Sequence, residues 1–348
     1  MTTMRRALIT DSDAWIGPHI QHDPSWIYQF DVAALAELDS ALAQAKRIGT
    51  RIPFGPEVFP LPHLAAELAS ILTEVEQGKG FMLLRGIPRS QYSDEDCELL
   101  YWGLGAHLGK PISQNGRGHL LGHVRDEGRT QADPNARAYQ TSQRMDFHTD
   151  MLPMDLLGLF CLRTAKRGGA SKLTSALTIH NVLRSERPDL LDALYGQFHI
   201  DWRGEEPAGE KGFFTLPMFS ERDGKVTARI NSLPYYDSAV RYGEQYAPTA
   251  IQREALMKVQ EIANRPELML SMDFQEGDIQ LVNNHTMLHA REAFEDYPEP
   301  GRERHLLRMW IAVDDSSRRP LADALSERYH WVRAGGIPVK TTNDARAA

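Results

Sequence analysis

The chain has 348 residues, 42% hydrophobic and 25% charged, with a formal net charge of −8, which is a globular balance with room for one large domain or two ordinary ones. The negative balance speaks against a general nucleic-acid binder. The two cysteines, Cys97 and Cys161, stand in no CxxC and no zinc spacing, which speaks against a disulfide framework and points to the cytoplasm.

In chain order, residues 1 to about 30 read as an irregular, aromatic-spotted arm laid over the body, with Trp15, Trp26 and Tyr28. Arg5 and Arg6 precede no long apolar run, so no signal peptide is expected. Nothing in the chain approaches the ~18 apolar residues of a membrane span. Asp31 is placed to cap a helix from Val32 to about Ile48. Pro53, Pro56 and Pro60 break the chain, and a second helix is predicted from about Pro62 to Glu76. The apolar run from Phe81 to Pro88 reads as a buried strand. Ser93 and Asp96 make a capping-box start for a helix to about Leu108. Pro111 to Ala138 is strand and loop, not further divisible.

The stretch Phe147-His148-Thr149-Asp150 is followed by two predicted strands, Leu156–Leu162 and Ser171–Ser175, separated by the turn Lys166-Arg167-Gly168-Gly169. Residues 178–195 read as two helical pieces divided at Pro188. Residues 203–247 are irregular and aromatic-rich, the pattern of a lid with some strand content. Thr249 and Gln252 form a capping box for a helix to about Ala263. Ile279–Val282 and Arg304–Val313 are predicted strands, and the tail after about Arg318 is expected to be peripheral. With no repeat and no linker, a single domain over 1–348 is expected. It comprises an arm and helices over 1–79, a core over 80–318 carrying the 203–247 insertion, and the tail 319–348. Strands with flanking helices suggest a β-sandwich or barrel core.

In an extended stretch, side chains at i and i+2 share a face, so His148 and Asp150 can grip one ion together while Thr149 points away. Asp146 is also in phase, which leaves two carboxylates as candidates. A third ligand is available downstream in His289, or in His285 four residues earlier, and spacing does not choose between them. Asn283, Asn284 and Thr286 stand ready to support such a ligand by hydrogen bonds. Two histidines and one carboxylate on one face of an ion form the ligand set of non-haem Fe(II) oxygenases. Arg304 and Arg308, four apart on a strand, share a face with Leu306. Guanidinium groups there are costly unless paired, and their planar fork suits a carboxylate.

The ordered set His148-Thr149-Asp150, Gly168-Gly169-Ala170-Ser171, Asn284 to Arg291, and Arg304-His305-Leu306-Leu307-Arg308 resembles the iron(II)- and 2-oxoglutarate-dependent oxygenases of the taurine dioxygenase (TauD/TfdA) / clavaminate synthase-like superfamily, over roughly residues 80–320. The resemblance implies a distorted double-stranded β-helix (jelly-roll) core buttressed by helices. It implies His148, Asp150 and His289 as metal ligands, with Asn284 favouring His289 over His285. Arg304 and Ser171 would bind 2-oxoglutarate. Arg308 and Arg144 match substrate-contacting positions, and Phe147 stands where the taurine enzymes carry Trp. The implied cofactors are Fe(II), 2-oxoglutarate and O2. The implied reaction is hydroxylation of a small molecule, an amino or carboxylic acid, with release of succinate and CO2. Desaturation or ring closure would use the same residues, and a cupin-like metal protein without 2-oxoglutarate is the rival. No nucleic-acid or membrane partner is expected.

Overall fold

The computed structural model describes residues 6–129, 137–150, 152, 154–207, 209–314 and 316–340. Parts of the expected arm (1–5), of the strand-and-loop region (130–136) and of the tail (341–348) therefore lie outside the described residues.

The core is a pair of β-sheets. The larger has seven strands in the order Ile27–Gln29, Phe81–Arg85, Ile279–Asn283, Leu156–Arg163, His305–Ala312 and Lys110–Ile112, with Leu121–Val124 also pairing to His305–Ala312. The smaller has four, in the order Leu270–Met272, Ser171–Ser175, Met287–Arg291 and Met145–His148. The central strands are buried on both faces, and Ile279–Asn283 is buried at every position. That is why these runs are mostly apolar rather than alternating, with Gln280 and Asn283 as buried polar exceptions.

Three helices cover the outer face of the larger sheet. Val32–Arg47 begins where Asp31 Oδ1 accepts from the Ala34 amide at 2.8 Å. Leu64–Gln77 follows, then Asp94–Leu108 with its capping box between Ser93 and Asp96. Leu38, Leu68, Leu100 and Tyr101 of these helices share one apolar cluster with Phe160, Leu281 and Leu307 of the sheet. Each such buried side chain contributes on the order of 1.5–3 kcal/mol. On the other side, Ala176–Glu186, Pro188–Leu194 and Ala250–Ala263 back the smaller sheet, and Thr174 Oγ1 donates to the Ala263 carbonyl at 3.0 Å. The expected break at Pro188 is present, because proline suits a helix start and not its interior.

Two expectations need correction. The region after Arg318 is not peripheral as far as it is described. Helix Asp323–Ala334 buries Leu325, Tyr329 and Val332 in the main core, and the Tyr329 hydroxyl donates to the buried Asp155. Its short apolar spacing hid this. The segment 203–247, read as irregular, holds paired strands, and several of its aromatics belong to the core. Phe214 and Phe219 lie in the hairpins made by Gln197–Asp201 with Phe213–Pro217 and by Phe219–Arg222 with Lys225–Ala228, and they are buried in the core with Tyr236. Among the described aromatics of that segment, Tyr235 reaches the cavity described next.

Candidate metal centre

Between the sheets lies a cavity lined by His148, Asp150, Ser171, His289, Arg304 and Arg308, among others. His148 and His289 are direct cross-strand partners of the smaller sheet, with ring centroids 4.2 Å apart. The strand ends at His148, yet Asp150 still turns inward. Its Oδ1 lies 3.8 Å from His148 Nε2 and 3.7 Å from His289 Nε2. The three ligand atoms fall within 4.8 Å of one another, a triangle that bonds of about 2.0–2.2 Å can close with small side-chain shifts. Thr149 is tied to the Ile230 carbonyl, to which its amide donates at 2.7 Å and its hydroxyl at 3.3 Å.

The rival ligands fall elsewhere. A register shift lies between the pairs His289↔His148 and Arg291↔Met145, so three steps of one strand face two of the other. This bulge breaks the phase assumed for Asp146, whose half-exposed carboxylate pairs with Arg144 at 3.3 Å. Its carbonyl is 2.8 Å from His148 Nδ1, and accepting from an Nδ1–H leaves the Nε2 lone pair for a metal. His285 is fully buried behind the site, 3.1 Å from Asp155 Oδ1, and burial pushes its pKa down to about 4.

Asp150 is held from several sides. Its amide donates to Asn284 Oδ1 at 2.8 Å, while Asn284 Nδ2 donates to the Leu152 and Met154 carbonyls at 3.1 and 3.3 Å, pinning the loop that follows. Trp310 Nε1 donates to Asp150 Oδ2, and Arg308 Nη1 stands 3.5 Å from the same oxygen. Burial disfavours the charged carboxylate, but Arg308, the two imidazoles and Trp310 together outweigh it, so its pKa is lowered. Burial likewise pushes His289 down to about 3 and lowers His148. The donors are thus two neutral imidazoles and one carboxylate, which is the donor chemistry a non-haem iron requires.

Arg304 lines the same cavity. It is 4% exposed, and its Nη1 is buried without a hydrogen-bond partner. Gly169 opposes its stem: a Cβ there would lie 3.1 Å from Arg304 Nε, and Gly168 and Gly169 both take left-handed φ, +72° and +77°. The Gly-Gly turn is therefore what lets Arg304 and Ser171 share the pocket. Ser171 Oγ is 3.3 Å from Gln280 Oε1. Arg308 also lines the cavity, but its Nε is engaged by Gln114 Oε1 at 2.7 Å.

Two expected substrate residues do not join this group. Phe147 is fully buried in the apolar core on the face opposite His148. Arg144 is turned outward, with Nη2 donating to Asn264 Oδ1 at 2.7 Å. The bulge and the strand alternation account for both. Conversely, sequence reasoning passed over Trp310 and Arg291. Each is in phase with residues it did single out, Arg308 and His289, and that phase was the available signal. It also passed over Arg229, whose buried guanidinium donates to the Asp150, Leu152 and Asn284 carbonyls. No local pattern marks that residue.

Fold and site together define a metal enzyme of the two-histidine, one-carboxylate class. The family model described as taurine catabolism dioxygenase TauD, TfdA family matches residues 39–310. The chain belongs to that family, and it is an oxidoreductase. FR-33289 synthase from Streptomyces rubellomurinus (strain ATCC 31215) is 30% identical over 343 residues, 97% of this chain and 99% of that protein. The taurine hydroxylase-like protein SAT17 from Stachybotrys chartarum (strain CBS 109288 / IBT 7711) is 29% identical over 331 residues, 92% of this chain and 83% of that one. Among solved structures, an asparagine oxygenase with Fe(II), 3-hydroxyasparagine and succinate matches with a TM-score of 0.63 at 16% identity, covering 91% of this chain and 100% of that one. The non-haem iron oxygenase OrfP with Fe and alpha-ketoglutaric acid matches with a TM-score of 0.57 at 19% identity, covering 85% and 100%. At such identities these two likenesses concern the fold. Among the described residues no helix is long and apolar enough to cross a membrane.

Proposed function

We propose that the protein is an Fe(II)- and 2-oxoglutarate-dependent oxygenase that hydroxylates a small anionic molecule. One observation carries this reading: the His148/Asp150/His289 triangle and the unpartnered, buried Arg304 open onto one cavity. A metal-binding protein with no dicarboxylate ligand has no use for that guanidinium, which counts against a cupin-like alternative. The two facing sheets are read as a distorted double-stranded β-helix, supported by the family's match over most of the chain.

Bound to the three ligands, Fe(II) would supply the O2 chemistry in which 2-oxoglutarate loses CO2, one oxygen atom entering succinate and the other the substrate C–H bond. The rest falls to the protein. His148, Asp150 and His289 hold the metal from one side. Trp310, Arg308, Asn284 and Arg229 keep Asp150 and its loop in place. Arg304, with Ser171, takes the far carboxylate of 2-oxoglutarate. Val124, Leu159, Phe274 and Leu306 form an apolar wall that excludes water. Arg308 and Tyr235, with Arg137 hydrogen-bonded to the Tyr235 hydroxyl at 3.0 Å, face the space left for substrate. This basic lining suits an amino or carboxylic acid, and the two structural relatives hold amino-acid ligands or products in related structures. The segment 203–247 would cover the cavity through Asn231, Ser232 and Tyr235.

Succinate release from 2-oxoglutarate in air, with Fe(II) and a panel of amino and carboxylic acids, tests the reading. The wild type is expected to release succinate. Asp150→Ala is expected to release none, and Arg304→Ala only at much higher 2-oxoglutarate. Wild-type rates unchanged by omitting Fe(II) or by Asp150→Ala would sink the proposal.

A further inference from the structure

Arg291 lies two residues beyond His289 on the same strand and opens onto the same cavity. It is 5% exposed. Its Nη2 donates to the Thr141 carbonyl at 2.8 Å and to that of Gln143. Its Nε and Nη1 are buried with no partner at all. Two carbonyls satisfy part of the guanidinium's donors and none of its charge.

Arg304 is in the same condition a short distance away. One ring, that of Phe294, carries both groups: the Arg291 Cζ lies 4.8 Å and the Arg304 Cζ 5.2 Å from its centroid. Among the described residues, neither arginine forms an ion pair with a carboxylate. Asp296 acts on both guanidinium groups and Asp126 on Arg291, but from beyond ion-pair distance, so these two neighbouring buried cations are only partly compensated, which is unfavourable. An anion with several acceptor lone pairs would take up the unpartnered N–H groups, Nε and Nη1 of Arg291 and Nη1 of Arg304.

The register says which anion. Arg291 is the cross-strand partner of Ser171, as His289 is of Leu173. The step from His289 to Arg291 is two residues of strand, about 7 Å. That is roughly the reach of a five-carbon dicarboxylate chelated at one end beside His289. The second guanidinium therefore stands at the distal carboxylate, next to the hydroxyl of Ser171.

We propose that Arg291 and Arg304 form a two-guanidinium clasp for the distal carboxylate of the 2-oxo acid, so that Arg291 helps impose the requirement for a dicarboxylate. This deepens the cosubstrate reading above and rests on it.

The test is calorimetric titration of Fe(II)-loaded protein under argon with 2-oxoglutarate and, separately, with 2-oxobutyrate, which lacks the distal carboxylate. Arg291→Gln is expected to weaken 2-oxoglutarate binding about tenfold or more while 2-oxobutyrate binding and Fe(II) affinity stay within about twofold. Arg291→Lys, which keeps the charge but not the fork, is expected to fall between. It carries the test if the Gln variant does not fold. Wild-type affinity for 2-oxoglutarate in folded Arg291 variants overturns the clasp and leaves Arg291 to the substrate or the scaffold. Equal weakening for both acids overturns it too, since Arg291 would then act through the metal site. A wild type that binds neither acid removes the cosubstrate reading itself, and the clasp with it.

Discussion

The neighbours of Asp150 favour its ionised form and aim it at the two imidazoles. Trp310 donates to one oxygen, and the other faces both imidazoles. Trp310→Phe keeps the packing and removes the donor, so Fe(II) affinity should fall about 10- to 100-fold with little change in thermal stability. Competition with a calibrated chelator reads this, and an unchanged affinity would mean that Arg308 suffices. The buried groups away from the ligands set a pH profile. Burial pushes His180 and His285 down to about 4. The unfolded chain then takes up protons from about pH 6.5 downward that the folded chain refuses, and stability falls with falling pH through that window. Glu76 has the opposite sign. Burial, with the Asp155 charge adding to it, raises its pKa to about 8. The folded state holds its proton from about pH 4.5 upward, and that stability is lost as pH rises through 8. Two histidines outweigh one carboxyl at acid pH, so urea midpoints of the metal-free protein should peak near pH 6.5. Glu76→Gln should flatten the alkaline decline, and an unaltered decline would contradict the assignment.

Elements explain how far the sequence could be read. Helices announced themselves through local chemistry: Asp31, Ser93 and Thr249 each accept the expected amide hydrogen bond at a helix start. The strand Ser171–Ser175 was legible as the extended stretch that resumes after a Gly-Gly turn. The bulge opposite His289 was not, because a shift of one residue is a property of two paired strands and leaves no mark on either alone. With strand alternation, it is also why Asp146, Phe147 and Arg144 stand apart from the cavity that His148 lines. The C-terminal helix escaped notice because its buried face consists of a few residues among charged ones. Two outcomes follow at this scale. Gly168→Ala forces a side chain into left-handed backbone, and its Cβ would sit 2.3 Å from the Ala293 carbonyl oxygen. A cost of at least about 1–2 kcal/mol is expected, with weaker 2-oxoglutarate binding as Ser171 and Arg304 shift. Truncation after Arg318 should do more damage than trimming a tail. It removes buried Leu325, Tyr329 and Val332, at about 1.5–3 kcal/mol for a fully buried apolar side chain, and takes a donor from Asp155. Thermal melting checks both, and a truncated chain that melts like the full one would return this region to the periphery.

Across the whole molecule, charge is distributed against its own total. The chain carries a net −8, yet Arg137, Arg291, Arg304 and Arg308 all line the cavity that holds the proposed metal ligands. A cationic interior within an anionic surface selects small anions that fit inside and repels bulk polyanions. The core is arranged to make that interior: the smaller sheet brings His148, His289, Ser171 and Arg291 to one face, and the larger brings Arg304, Arg308 and Trp310 to meet them. On the proposed reading, metal and 2-oxo acid bind at this junction together. Its most direct test is an anaerobic titration of metal-free protein with Fe(II) and then 2-oxoglutarate, followed through the visible charge-transfer absorption of the chelate. A saturable band is expected in the wild type, absent in Asp150→Ala and shifted to much higher 2-oxoglutarate in Arg304→Ala. No band in folded, Fe(II)-loaded wild type would contradict that reading.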